Sequence, residues 1–178
     1  MENKWTKINL GCGRLTIGRE FCNIDIMPFT DNSGNVLVDI VMNVEDTPFP
    51  FEDNCMDEVL ADNVFEHLGN GFIFALNECH RVLKESGTLI GVVPIANTEA
   101  DLMDITHKRK FIKKSFGYIC GKGLARPDRP SHPKYADYGV LPWNQIELKE
   151  EGNLIHFKLS PRKVNTESDY LVAIYTKK

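Results

Sequence analysis

Lys7-Ile8-Asn9-Leu10-Gly11-Cys12-Gly13 decides how the rest of this chain reads. Ile8 and Leu10 point one way and Asn9 the other, the alternation of a short buried strand. Gly11 and Gly13 then end it in a turn where side chains are in the way, which lets a small molecule approach bare backbone. Two glycines one residue apart occur in many proteins, so the reading depends on whether later strand ends supply the other walls of a site.

Working outward, Arg14 to Glu20 is a brief polar connection to a second apolar run, Phe21-Cys22-Asn23-Ile24-Asp25-Ile26. A helical crossover takes roughly ten residues or more, so the first helix is expected to be very short or missing. Val36 to Val41 reads as a third strand buried on both faces, after a loop through Asp31-Asn32-Ser33-Gly34. Pro48 and Pro50 make the next stretch irregular, and Met56 to Ala61 is a fourth strand. Asp62-Asn63 followed by Glu66 matches a capping box and predicts a helix start.

From Phe72 to Glu85 the apolar residues recur at three- and four-residue spacing, with Asn77, Glu78, His80, Arg81 and Lys84 on the other side. This predicts an amphipathic helix, stopped at Gly87. Thr88 to Pro94 is a fifth buried strand. Alternating strands and connections imply an α/β fold with a mostly parallel sheet. Ala96 to Glu151 is polar, with one expected helix at Ile105 to Ile119, and is too long for a plain connector, so it covers something. Leu154 to Leu159 and Tyr170 to Thr176 are expected to pair antiparallel.

In an open parallel sheet, ligands bind beyond the carboxyl ends of the strands. Those ends offer Gly11 and Gly13, Asp25, the Asn43-Val44 region, and Asp62 with Asn63. An acid at the tip of the second strand suits a ribose diol, so the ligand is expected to be a nucleoside.

Composition bounds the alternatives. The 178 residues are 42% apolar and 26% charged with a net charge of −4, which fits one globular domain and argues against general nucleic-acid or membrane coating. Five cysteines lie without a C-x-x-C pair, and His107, His132 and His156 have no carboxylate spacing that suggests a metal site, so no metal is expected. Met1 to Thr6 lacks the apolar core of a signal peptide, no run approaches the ~18 residues of a membrane span, and the expected location is the cytoplasm.

The ordered series Ile8-Asn9-Leu10-Gly11-Cys12-Gly13, Asn23-Ile24-Asp25-Ile26, Thr47-Pro48-Phe49-Pro50-Phe51 through Val59, Glu66-His67-Leu68, and Glu78-Cys79-His80-Arg81-Val82-Leu83 through Leu89 resembles class I S-adenosylmethionine-dependent methyltransferases. The resemblance implies a Rossmann-like, doubly wound, mostly parallel seven-stranded sheet with a C-terminal antiparallel hairpin. It implies one methyltransferase domain over residues 1–178, with 96–151 as an irregular covering or substrate segment. Leu10, Gly11, Cys12 and Gly13 match the loop beside the methionine part of the cofactor, and Asp25 with Ile26 matches the ribose site. Asn43 and Val44 fall at the adenine, while Ala61, Asp62 and Asn63 fall on the sulfonium and methyl side. His67 borders the transfer site, so His67 or Asp62 is the expected proton acceptor, with His107 more remote. No third glycine follows Gly13; Arg14 is a candidate charge partner for the cofactor carboxylate.

The expected reaction is methyl transfer to an oxygen or nitrogen of a small acceptor, anionic or sugar-like. Lys108, Arg109, Lys110, Lys113, Lys114, Lys122, Arg126, Arg129 and Lys134 form a basic stretch that could steer an anion or form only a solvated face. Nucleic acid is the less favoured acceptor, because Asp62-Asn63-Val64-Phe65 lacks the Pro-Pro-aromatic signature of amino-methylating DNA enzymes. A non-catalytic cofactor-fold binding protein is the other alternative, and the oligomeric state is open. Nicotinamide oxidoreduction carries little weight, since position 16 is Thr where a third glycine opening a helix is expected.

Overall fold

A computed structural model describes residues 4–120 and 139–163. Within them a seven-stranded sheet runs in the order β3-β2-β1-β4-β5-β7-β6, with strands β1 Lys7–Leu10, β2 Phe21–Asp25, β3 Ile40–Val41, β4 Met56–Asp62, β5 Leu83–Pro94, β6 Trp143–Glu151 and β7 Leu154–Pro161. The first five strands pair parallel with one another, and β7 pairs antiparallel with both β5 and β6. The expected α/β architecture with a terminal hairpin is therefore present. Its hairpin differs from the expectation: β7 matches the predicted 154–159 strand, but its partner is β6, and Tyr170 to Thr176 lies outside the described residues.

The crossover from β1 to β2 contains no helix, as its brevity predicts. A polar chain occupies the sheet face there: Asn9 Nδ2 donates to Asn23 Oδ1 at 3.0 Å and to the Leu15 carbonyl at 2.8 Å, and Asn23 donates through N and Nδ2 to Asp39 Oδ2. Buried amides are tolerable because these partners satisfy them. The third strand is shorter than predicted and is an edge rather than a doubly buried strand. Only Ile40 and Val41 pair with β2, and Val36 is exposed, held by an isolated bridge to Thr30.

Helix α1 spans Phe72–Val82 and buries Phe72, Ala75, Leu76, Cys79 and Val82, the face that the periodicity predicts. It ends earlier than expected, because Leu83 turns directly into β5, and Gly87 lies inside that strand rather than capping the helix. Lys84 instead pairs with Asp57 at 2.7 Å. Asp62-Asn63 caps no α-helix. Asn63 sits at φ +51°, outside the extended geometry of a cap, and only a 3₁₀ turn follows at Phe65–His67. The covering segment is more regular than expected, with short helices α2 (Glu99–Leu102) and α3 (Lys113–Ile119) and the edge strand β6. Residues 105–112 are not helical: Phe111 bridges Ile95, and the chain runs back over the 3₁₀ turn. Phe65 meets Phe72 edge-on at 5.5 Å and stacks on Phe157 at 6.0 Å, and Phe116 lies 4.7 Å from Phe157. These rings lock turn, helix and hairpin into one core.

The polar side of α1 is not solvated. Arg81 Nε and Nη2 form a two-pronged contact with Glu78 at 2.8 and 2.7 Å, and Arg81 also donates to Asp53 and to the Phe49 and Phe51 carbonyls. All five guanidinium N–H donors are thereby used. Phe49 N–H donates to Glu78 Oε2 at 2.7 Å. Burial works against the Glu78 charge, but these hydrogen bonds outweigh it and hold its pKa below the usual value. The irregular Pro-Phe-Pro-Phe stretch is thus stapled to the helix. Arg81→Met is expected to lower stability by roughly 2 to 4 kcal/mol, because Glu78 and two carbonyls lose their partner. Urea unfolding checks this, and a loss below ~1 kcal/mol would mean the staple is dispensable.

His80 is also buried, with Nε2 at 3.1 Å from the Pro142 carbonyl and its ring edge-on to Trp143 at 5.2 Å. A carbonyl only accepts, so the neutral ring donates from Nε2. Burial, then the nearby Lys163 ammonium, pushes its pKa down to about 4. The folded state refuses a proton that the unfolded chain accepts below ~6.5. Stability from neutral His80 is therefore complete above that pH and is lost as pH falls to about 4, by at most roughly 3 kcal/mol. His80→Gln should flatten the stability profile across this window; parallel profiles for the two proteins would exclude the assignment.

Candidate active site

The carboxyl ends of β1, β2 and β4 meet at one edge of the sheet, because the parallel registers align Leu10 with both Ile24 and Ala61. Gly11 follows β1 at φ +62°, and a Cβ there would come within 2.5 Å of Val64 Cγ2. Both backbone angle and space exclude a larger residue. Gly13 is also left-handed, at φ +53°, and faces open space.

Asp25 closes this turn. Its Oδ2 accepts the Gly13 N–H and its Oδ1 the Met27 N–H, each at 2.9 Å. Each oxygen keeps a second lone pair for a ligand hydroxyl. Cys12 N–H donates to the Ile24 carbonyl, and its buried thiol is pushed up to about 11 by burial and then by the Asp25 charge. Cys12 is thus a protonated packing group. Ile26 stands beside Asp25 with 60% of its surface exposed, an apolar surface at the mouth of the site.

Asn43 adjoins Asp25, since Met42 N–H donates to the Asp25 carbonyl. Its own side chain closes the local loop, accepting from Glu45 N–H and donating to Asp46. Val44 packs against the core. Arg14 is drawn the other way, donating to the Thr30 carbonyl at 2.5 Å and lying over the Phe29 ring.

On the other side of Gly11, Ala61 is buried at the end of β4, and Asp62 is exposed with its Oδ1 accepting from Asn63 Nδ2 at 2.8 Å. Asn63 and His67 line a cleft of about 510 Å³ with Met103, Asp104, Ile105 and His107. His67 and His107 meet edge-on at 4.8 Å, which brings the two sequence candidates together. His67 Nδ1 lies 3.0 Å from Thr106 Oγ1, whose hydroxyl donates to Asp104 at 2.6 Å, so the imidazole carries its proton on Nδ1. Burial, then His107, lowers the His67 pKa from its ordinary value.

By sequence, Glu66 has a capping role and a place in the Glu66-His67-Leu68 element, but no role in the site. It is completely buried beneath this cleft, and burial pushes its carboxyl up to about 7. An acid directly before His67 in that element was the available signal. Among the described basic residues, Arg109 donates to the Gly69 carbonyl and covers Phe72, and Lys110 pairs with Asp101. Both hold the covering segment in place, which weakens the reading of that segment as a nucleic-acid surface. Lys122, Arg126, Arg129 and Lys134 lie outside the described residues.

Comparison with known proteins agrees with this fold. Residues 12–91 match the family model described as a methyltransferase domain. A chain from the complex of the Haloferax volcanii Trm112 methyltransferase activator aligns with a TM-score of 0.60 at 14% identity, covering 91% of this chain and 84% of that one. An S-adenosylmethionine-dependent methyltransferase from Archaeoglobus fulgidus aligns with a TM-score of 0.56 at 14% identity over 89% and 87% of the two chains. A Burkholderia thailandensis N-methyltransferase solved with S-adenosylhomocysteine aligns at 0.54 and 12% identity over 88% and 71%. A protein of Methanocaldococcus jannaschii is 52% identical over 44 residues, which are 25% of this chain and only 19% of that protein. Residues 12–91 are thus similar to a methyltransferase domain, and the described fold is the one these solved structures share.

Asp25→Ala is expected to weaken S-adenosylhomocysteine binding by roughly 1 to 3 kcal/mol, through lost hydrogen bonds to the ligand and to Gly13. Titration calorimetry reads this directly, and an unchanged affinity would remove Asp25 from the site.

Proposed function

We propose that this protein transfers a methyl group from S-adenosylmethionine to an oxygen or nitrogen of a small acceptor held where Asp62, Asn63 and His67 meet. The observation that carries the reading is the Asp25 clamp: one carboxylate fixes the Gly13 turn and keeps acceptor capacity for a ribose diol. When bound, the cofactor supplies an electrophilic methyl group on a sulfonium. The protein's work is then alignment and proton removal.

In this reading Leu10 through Gly13 pass the methionine part, Asp25 and Ile26 hold the ribose, and Asn43 with Val44 flanks the adenine. Ala61 provides a small buried wall near the methyl group. Asp62 is the proton acceptor: it is exposed at the strand end and oriented by the Asn63 amide. As the acceptor gains the methyl group, its proton leaves to the Asp62 carboxylate. His67 borders the acceptor, its ring fixed by Thr106. Lys108, Lys113 and Lys114 expose positive charge on the covering segment, which favours an anionic or phosphorylated sugar-like acceptor. The buried thiols Cys12, Cys22 and Cys79 suit a reducing cytoplasm.

Calorimetry with S-adenosylmethionine and S-adenosylhomocysteine tests the cofactor, and failure to bind either would end the proposal. With an acceptor in hand, Asp62→Asn is expected to lower kcat by about 10²-fold or more while cofactor affinity holds. An unchanged kcat would take the proton-acceptor role from Asp62.

A further inference from the structure

Glu66 poses a problem that methyl transfer does not solve. The residue is completely buried, and neither carboxylate oxygen has a hydrogen-bond partner. A buried polar group without partners is costly, and a buried charge is tolerated when it is paired or bound to a metal. The groups nearest to hand are two imidazoles. One ligand atom each from Glu66, His67 and His107 lie within 4.8 Å of one another.

We propose that Glu66, His67 and His107 bind a divalent first-row transition-metal ion at the floor of the acceptor cleft. Both histidines are held in the manner of ligands. His107 Nδ1 lies 2.9 Å from the Asp101 carbonyl and 3.6 Å from the Asp101 carboxylate, and His67 Nδ1 lies 3.0 Å from the Thr106 hydroxyl, itself hydrogen-bonded to Asp104. Committing Nδ1 to such partners fixes each ring and leaves Nε2 for the ion. Ligand atoms around one ion at ~2.1 Å stand up to ~4.2 Å apart, so small side-chain rotations close the observed spacing.

The fold makes the cluster. Lys108 and Arg109 N–H both donate to the Glu66 carbonyl, at 2.8 and 2.9 Å, which lays the segment carrying His107 across the 3₁₀ turn carrying Glu66 and His67. Asp101, which steadies His107, is itself buried and held by Lys110 at 2.9 Å and by Asn97 N–H at 2.8 Å. Two imidazoles and one carboxylate suit manganese, iron or zinc better than calcium or magnesium, which favour all-oxygen sets. His67 and His107 both line the cleft, with Asn63 and Asp104 alongside, so the remaining coordination positions face the space assigned to the acceptor. Resting on the methyl-transfer reading, an acceptor hydroxyl bound there is polarised and presented beside Asp62.

The test uses the full-length protein, stripped with a chelator and titrated with Co2+, followed by calorimetry and by visible absorption. One equivalent is expected, with absorption bands of a nitrogen- and oxygen-ligated ion. Glu66→Gln, which keeps shape, and His107→Asn should each weaken Co2+ binding by about tenfold or more. Asp25→Ala should leave it unchanged. Failure of the wild-type protein to bind one equivalent, or equal binding by both ligand variants, would overturn the site. S-adenosylhomocysteine binding by the wild-type protein is measured in parallel: cofactor binding without Co2+ binding rejects the metal alone, and the methyl-transfer reading stands or falls on the cofactor result.

Discussion

The carboxylate of Asp25 is the interaction on which the site depends. By accepting one N–H from the turn after the first strand and one from the loop after the second, it fixes two connections that no helix organises. In longer crossovers a helix covers the sheet and its N-terminus presents donors to the ligand. Here the sheet face is filled by the Asn9, Asn23 and Asp39 chain, and the geometry of the turn comes from a side chain. The fold thus achieves with discrete hydrogen bonds what a helix otherwise does by packing.

The other half of the site rests on a different kind of support. Glu78 and Arg81 project from the side of the helix opposite its apolar stripe, yet they are interior contacts that hold the Pro-Phe-Pro-Phe loop. Phe65, Phe72, Phe111, Phe116 and Phe157 then join the 3₁₀ turn to the covering segment and the hairpin. The cleft around His67 stands on this aromatic base. The glycine turn after the first strand stands on the Asp25 hydrogen bonds.

Much of this was legible in the sequence where local pattern and final burial coincide. The strands beginning at Lys7, Phe21 and Met56 and the helix from Phe72 carry their periodicity openly. Trp143–Glu151 did not, because an edge strand rich in charge has little apolar alternation to display. Asn63 and Glu66 have the spacing of a capping box, but the left-handed angle at Asn63 and the burial of Glu66 belong to tertiary structure. In the same way, His107 reaches His67 only because residues 105–112 turn back instead of forming a helix. The strand-end residues around Gly11 and Asp25 follow from topology, whereas the floor of the His67 cleft follows from a long-range return of the chain.

The contact between Gly11 and Val64 links these halves at a single point. A Cβ on the glycine would lie inside van der Waals range of the valine methyl, so the two positions share one volume. Evolutionary drift is constrained accordingly. Bulk gained at position 11 has to be surrendered at position 64, and even then the left-handed turn opposes it. Position 11 is therefore held at glycine, and any reshaping of the loop after the fourth strand has to leave Val64 clear of this turn.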